Sequence, residues 1–122
     1  MDINNHVIQL CIAGTQAEFK GQLEQARSLY QQAWEATQDD YEACIAAHYV
    51  ARFQEDPANR LHWNQVALDR ALEVADGRVQ EFYPSLYLNM GQSYELLGDQ
   101  DEARQYYDLA AALGVIHDTS GK

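Results

Sequence analysis

Apolar and small residues recur along this chain at intervals of three and four, with polar and acidic residues between them, the period of amphipathic helices. No alternating strand pattern bounded by paired turn signals interrupts it, so helix is expected nearly throughout, in six segments. The first is expected over about residues 5–20 and stops at Gly21, where glycine takes a left-handed cap without strain. The second covers about 22–38. Asp39 with Glu42 has the spacing of a capping box and opens the third, which reaches about 54, and Asp56-Pro57 opens a long fourth that reaches about 76. Asp76-Gly77 breaks that helix. Pro84 suits the first turn of the fifth, Gly98 ends it as Gly21 ended the first, and Asp99 with Glu102 caps a sixth that fades near Leu113-Gly114. The remaining polar residues, 117–122, read as a frayed end.

A second pattern lies over the first. Gly14, Ala17, Gly21, Ala26, Tyr30 and Ala33 match, gap for gap, Gly91, Tyr94, Gly98, Ala103, Tyr107 and Ala110. A repeated frame of small and large residues is the mark of stacked helical hairpins, in which small positions let neighbours approach and large ones fill the gaps. On this reading Gly14 and Gly91 let the two helices of a hairpin cross closely, helped by Ala26 and Ala103, while Tyr30 and Tyr107 fill the space between adjacent units. Truncating Tyr107 to alanine is expected to cost about 3–5 kcal/mol. Between these ends the frame keeps Ala51 and Ala67 but puts His48 at the first glycine, Glu55 at the second, Arg60 at an alanine and Asn64 at the tyrosine. Two options follow for the middle hairpin: packing with different side chains, Trp63 among them, or a register slide toward Leu68 and Ala71.

Together these spacings resemble the tetratricopeptide repeat, a helix-turn-helix unit of about 34 residues. The run from Tyr94 through Leu96-Leu97-Gly98-Asp99 to Ala103, followed by Tyr106-Tyr107, is particularly similar to the family. The frame places one domain of three repeats at about 7–40, 41–74 with an extension to 83, and 84–117; the longer second unit resembles the extended repeats of kinesin-light-chain-type arrays. The resemblance implies an all-α fold, with three antiparallel helix-turn-helix repeats stacked as a right-handed superhelix, an α-α solenoid. It also implies a concave face, lined by the first helix of each unit, that takes an extended peptide or a partner helix. Carried over residue by residue, that face comprises Ile8, Cys11, Ile12, Thr15 and Glu18, then Glu42, Ile45, Ala46, Tyr49 and Arg52, then Ser85, Leu88, Asn89, Gln92 and Glu95.

Within the face, Thr15, Tyr49, Arg52, Asn89, Gln92 and Glu95 are the candidate partner-binding residues. An aromatic ring, a planar cation and two amides can hold a peptide by stacking and by hydrogen bonds to its backbone. The alternative for Arg52 is an ion pair with Glu18 or Glu95, the amides then facing only water. Asn89 has no accompanying lysines on this face, which disfavours the basic clamp that chaperone-binding relatives use for a C-terminal carboxylate.

Charge and chemistry narrow the function further. Nineteen acidic against eight basic residues give a formal net charge of −11, which repels a phosphate backbone, so nucleic acid is not an expected ligand. No apolar run is long enough to cross a membrane, and Met1 to His6 lacks the basic and apolar stretches of a secretion signal, so a cytoplasmic setting is expected. Cys11 and Cys44 lie inside helical patterns rather than in a disulfide framework and are read as reduced. The sharpest catalytic candidate is Cys44 with His48 one helical turn on, either a thiolate activated by imidazole or part of a metal site; a histidine wedged between helices explains the pair as well. The acidic pairs at Asp39-Asp40 and Asp99/Asp101 sit where helix starts call for carboxylates. Phe82, Tyr83 and Tyr87 with Tyr106 read as core, with Tyr83 or Tyr106 as an exposed anchor. No enzyme activity, cofactor or metal is expected. The resulting expectation is a non-catalytic adaptor for a protein or peptide. The alternative is a homo-oligomeric module, a homodimer in the simplest case, assembled through a C-terminal helix whose Leu109, Leu113, Val115 and Ile116 have nothing after them to cover them.

Overall fold

Glycine, aspartate and proline end and begin the helices much where their chemistry predicts. The computed structural model describes residues 4–74 and 76–113 and contains, in order, α1 (His6–Phe19), α2 (Leu23–Glu35), α3 (Asp40–Arg52), α4 (Pro57–Leu72), a 3₁₀ helix (Gly77–Phe82), α5 (Tyr83–Leu96) and α6 (Gln100–Ala112). No strand occurs among the described residues. Gly21 and Gly98 adopt φ of 75° and 83°. Beyond them the chain turns back in the same way at both places: Gln22 N–H reaches the Ala17 carbonyl and Asp99 N–H the Tyr94 carbonyl, each at 2.9 Å.

The starts of α3, α4 and α6 are capped by aspartate side chains. Asp39 Oδ1 accepts from Glu42 N–H at 2.8 Å, Asp99 Oδ1 from Glu102 N–H at 3.1 Å, and Asp56 Oδ1 from Ala58 N–H at 3.0 Å beside Pro57. Glu42 reaches back one residue further than a standard capping box, to Gln38 N–H at 2.8 Å, and its other oxygen accepts from Asn5 Nδ2 at 2.8 Å, tying the start of α3 to the start of α1.

The six α-helices pack consecutively as an α-α solenoid, each most closely against its hairpin partner: α1 with α2, α3 with α4, α5 with α6. Beyond its hairpin, α2 packs on α3 and α4 on α5. One apolar core threads the stack, from Val7 and Ile8 on α1 through Cys44 and Ile45 on α3 to Leu86 and Met90 on α5. The second helices pack through alanines; Ala26, Ala33, Ala67, Ala71 and Ala110 are fully buried, so helix surfaces approach to van der Waals contact with little side chain between them.

The repeated glycines and tyrosines meet each other. A Cβ on Gly14 would lie 2.7 Å from Tyr30 Cδ1, and one on Gly91 the same 2.7 Å from Tyr107 Cδ1. The small residue on the first helix of each hairpin therefore receives the flat ring of the tyrosine on the second, rather than only letting two backbones cross. Tyr30 also fills the space to the next hairpin as expected, stacking on Tyr49 with ring centroids 5.0 Å apart and meeting Phe53 at 5.4 Å. Tyr107 is only half-buried, so the large truncation cost expected there belongs to Tyr30, which is 1% exposed.

One expectation changes in the middle of the chain, and the option left open for the middle hairpin is decided there. The fourth helix stops at Leu72 rather than near residue 76, and a 3₁₀ helix follows, opened by Asp76, whose Oδ1 accepts from Arg78 N–H at 3.0 Å. That helix buries Val79 completely and sets Phe82 against Tyr41. The middle hairpin packs with other side chains: Asn64, in the tyrosine's place, is buried and donates to the buried Ser93 Oγ at 2.8 Å, while Trp63 meets Trp34 edge-on at 5.0 Å. Arg60, in an alanine's place, turns to the end of α3 and bonds the Gln54 carbonyl at 2.9 Å. At the chain end Leu109 and Leu113 are exposed, and Val115 and Ile116 lie outside the described residues.

Candidate functional site

The first helices of the hairpins, α1, α3 and α5, bring equivalent side chains into register, and the pattern of charge among them sets the site. Glu18, Arg52 and Glu95 occupy the same position in the three hairpins. Arg52 Nη2 pairs with Glu18 Oε2 at 2.9 Å, the ion-pair alternative anticipated for that arginine, and its guanidinium lies 5.8 Å from the Tyr49 ring centroid. Glu18 Oε1 takes the Tyr30 hydroxyl at 2.5 Å, and the Thr15 and Tyr30 hydroxyls are 3.1 Å apart. Glu95 accepts the Tyr107 hydroxyl in the last hairpin as Glu18 accepts Tyr30 in the first. Burial, then the hydrogen bond to the carboxylate, push both tyrosine hydroxyls well above the ordinary tyrosine pKa, so both remain protonated donors.

Next to this network a cleft of about 520 Å³ opens, lined by Arg52, Arg60 and Asn64 on one side and Asn89, Gln92, Ser93 and Glu95 on the other. Four of the six expected binding residues, Arg52, Asn89, Gln92 and Glu95, line it together. Tyr49 lines a smaller neighbouring cleft of about 170 Å³ with His48, Glu81 and Phe82, and Thr15 sits further along α1, its hydroxyl donating to the Cys11 carbonyl at 3.0 Å. Ile8, Cys11, Ile45 and Ala46, which the helical stripe assigns to the same face, are buried in the core instead. Arg60, Asn64 and Ser93 join the cleft without having been expected there; for Arg60 and Asn64 the signal was polarity where the flanking hairpins carry alanine and tyrosine.

His48 joins the two clefts. Its Nδ1 lies 3.1 Å from Asn89 Nδ2, and because the amide nitrogen can only donate, Nδ1 is the acceptor and the neutral ring carries its proton on Nε2. Burial, followed by the charge of Arg52, lowers its pKa below 6.5. Asn89 thus has one amide hydrogen committed to α3 and its carbonyl still available to a ligand.

The residues singled out for chemistry are placed otherwise. Burial pushes the Cys44 and Cys11 thiols up to about 12, and Cys44 Sγ donates to the Tyr41 carbonyl at 3.1 Å, so the thiol is protonated at neutral pH and His48 turns its Nδ1 to Asn89. Among the described residues no group of three or more histidines, cysteines and carboxylates is placed to hold a metal ion. Tyr83 and Tyr106 are half-buried rather than standing free: Tyr83 Oη donates to the Ala71 carbonyl at 3.2 Å, and Tyr106 stacks on Tyr94 with centroids 5.8 Å apart. No helix among the described residues is long and apolar enough to cross a membrane.

No curated protein and no solved structure matches the chain. The sequence model of one family, Tetratricopeptide repeat, does match, over residues 84–118, the segment that holds α5, the Gly98 turn and α6 with its Gly91–Tyr107 contact. That segment is similar to the tetratricopeptide repeat family.

Proposed function

We propose that this chain is a non-catalytic adaptor that binds a protein segment or extended peptide in the cleft between α3, α4 and α5. Helical repeats of this kind are interaction modules that work through extended concave surfaces. The observation that carries the reading is the convergence of Arg52, Asn64, Asn89, Gln92 and Glu95 on one open cleft of about 520 Å³. Those groups suit a peptide backbone: amides donate and accept in pairs along it, Arg52 offers N–H groups beyond the one on Glu18, and Glu95 receives a basic side chain or N–H. Tyr49 and Thr15 extend the contact toward α1. In this proposal the chain is one domain of three repeats, at about 7–40, 41–74 with an extension to 83, and 84–117, wound as a right-handed superhelix. It works without cofactor or metal, and with net charge −11 in the cytoplasm it meets proteins rather than nucleic acid.

The test is selection of binders from a displayed random-peptide library against the folded chain, with affinities then measured for wild type and for Arg52→Glu combined with Asn89→Ala. The double variant is expected to bind at least ~10-fold more weakly, about 1.4 kcal/mol, while Gln31→Ala on the exposed side of α2 changes nothing. Equal affinity of wild type and double variant for every selected peptide contradicts the groove assignment.

A further inference from the structure

The chain between the second and third hairpins does more than connect them. Its 3₁₀ helix is held to α3 by Arg78, which lies over the Tyr41 ring at 4.1 Å and bonds Asp76 at 3.0 Å, and is anchored in the core by Val79. From there it sets Glu81 and Phe82 beside α3 and α5 as one wall of the smaller cleft. The junction between the first two hairpins, residues 36–39, is too short to build such a wall. Inside, the cleft is apolar: Cys44, Ile45 and Leu86 are buried, with Tyr49 and Phe82 half-buried at its sides. Its volume of about 170 Å³ lies below the ~300 Å³ at which small-molecule pockets begin, and suits a single side chain. Glu81 is the one charged residue that lines it, exposed and without a hydrogen bond or ion pair among the described residues. In the larger cleft Arg52 is matched by Glu18 and Arg60 turns to the Gln54 carbonyl. The charge free at the smaller cleft is therefore negative, on a chain of net charge −11.

We infer that a segment bound in the larger cleft continues past the His48–Asn89 contact and seats one aliphatic side chain in the smaller cleft, with a nearby lysine or arginine on Glu81. This rests on the peptide-binding reading above and names the chemistry of the partner: an extended protein segment that carries an aliphatic residue of leucine or methionine size and a basic residue close to it. The two residues do different work. Burial of the aliphatic side chain supplies affinity, because Cys44, Ile45 and Leu86 offer it an apolar floor. The carboxylate at the exposed rim supplies selection, since it attracts a basic neighbour and, with the net charge of the chain, refuses an acidic one. In an extended segment residues two apart lie on the same side, so the aliphatic and basic positions fall within about two residues of each other.

The peptides selected from the displayed random library are sequenced, and their affinities are measured for wild type, Glu81→Lys and Ser85→Phe. Glu81 and Ser85 are exposed, and circular-dichroism melts matching wild type establish that both variants are folded. The selected peptides are expected to share an aliphatic residue with lysine or arginine within about two positions. Ser85→Phe puts a ring into the cleft that Ser85 lines and is expected to weaken them at least ~10-fold, while peptides whose aliphatic residue is replaced by alanine bind this variant and wild type alike. Glu81→Lys is expected to weaken them by about 3- to 10-fold, and exchanging the basic residue of the peptide for glutamate restores the loss. Peptides that lose affinity in Arg52→Glu with Asn89→Ala, yet lack the aliphatic and basic pair or bind either cleft variant like wild type, overturn this inference and leave the groove reading standing. So does a Glu81→Lys loss that the glutamate peptide fails to restore. Peptides indifferent to all of these variants, or a library that yields no binder, overturn both.

Discussion

Tyr30 concentrates more of the structure in one side chain than any other residue. Its ring lies on Gly14, stacks on Tyr49 and meets Phe53, and its hydroxyl faces Thr15 and Glu18, so it joins α1, α2 and α3 at once. Tyr30→Ala is expected to cost about 3–5 kcal/mol in urea unfolding, whereas Tyr30→Phe, which keeps the ring and loses the hydroxyl's bonds, costs about 1 kcal/mol. Gly14→Ala puts a methyl into the ring and is expected to cost about 1–3 kcal/mol; Gly91→Ala costs less, since half-buried Tyr107 has room to move. His48 supplies a pH signature. Its folded pKa lies below 6.5, so as pH falls the unfolded chain binds a proton before the folded one does, and stability that is complete above about pH 6.5 declines below it. The melting temperature is expected to drop between about pH 7.5 and 5.5, and His48→Gln is expected to flatten that drop; an unchanged slope would place its cause elsewhere. The glycine–tyrosine recurrence was legible in the sequence, but its meaning as ring against glycine was not, because spacing reports which residues face each other and not what fills the space between them.

At the scale of the element, the capping chemistry was the most readable feature and also marks where reading stopped. Gly21 and Gly98 turn the chain as their positions require, and Asp39, Asp56 and Asp99 cap α3, α4 and α6. Asp39→Ala is expected to cost about 1 kcal/mol, and because Glu42 in the same turn holds Gln38 and Asn5, Asp39→Ala with Glu42→Ala should cost more than the sum of the two single changes, measured by a double-mutant cycle. The 3₁₀ helix Gly77–Phe82 was missed for a physical reason: Asp76-Gly77 reads as a break, and six residues are too few to display a helical period. Val79 and Phe82, three apart and apolar, were its trace, and Arg78 over the Tyr41 ring at 4.1 Å holds it to α3. The middle hairpin shows the converse. Its large and small positions exchange, histidine for glycine and asparagine for tyrosine, and the helices keep their register although the pairwise packing is new.

At the scale of the molecule, the same departures from the repeat make the cleft. Asn64 is too short to fill the volume a tyrosine takes in the flanking hairpins, and it turns inward to Ser93, while Arg60 folds back on Gln54. The cleft lies between these residues and α5, so the hairpin that fits the pattern least shapes the surface offered to a partner. Sequence alone named four of its lining residues because a stripe of three- and four-residue spacing is readable; it overextended the stripe into Ile8, Cys11, Ile45 and Ala46, since the depth of a groove depends on how far neighbouring helices close over it. Amide chemical-shift mapping by NMR, with a library-selected peptide titrated into the labelled chain, locates the bound peptide. Shifts are expected to concentrate on residues 49–52, 60–64 and 89–95, the segments around the cleft, with α2 silent; shifts confined to other surfaces, with those segments unmoved at saturation, would contradict binding in the cleft.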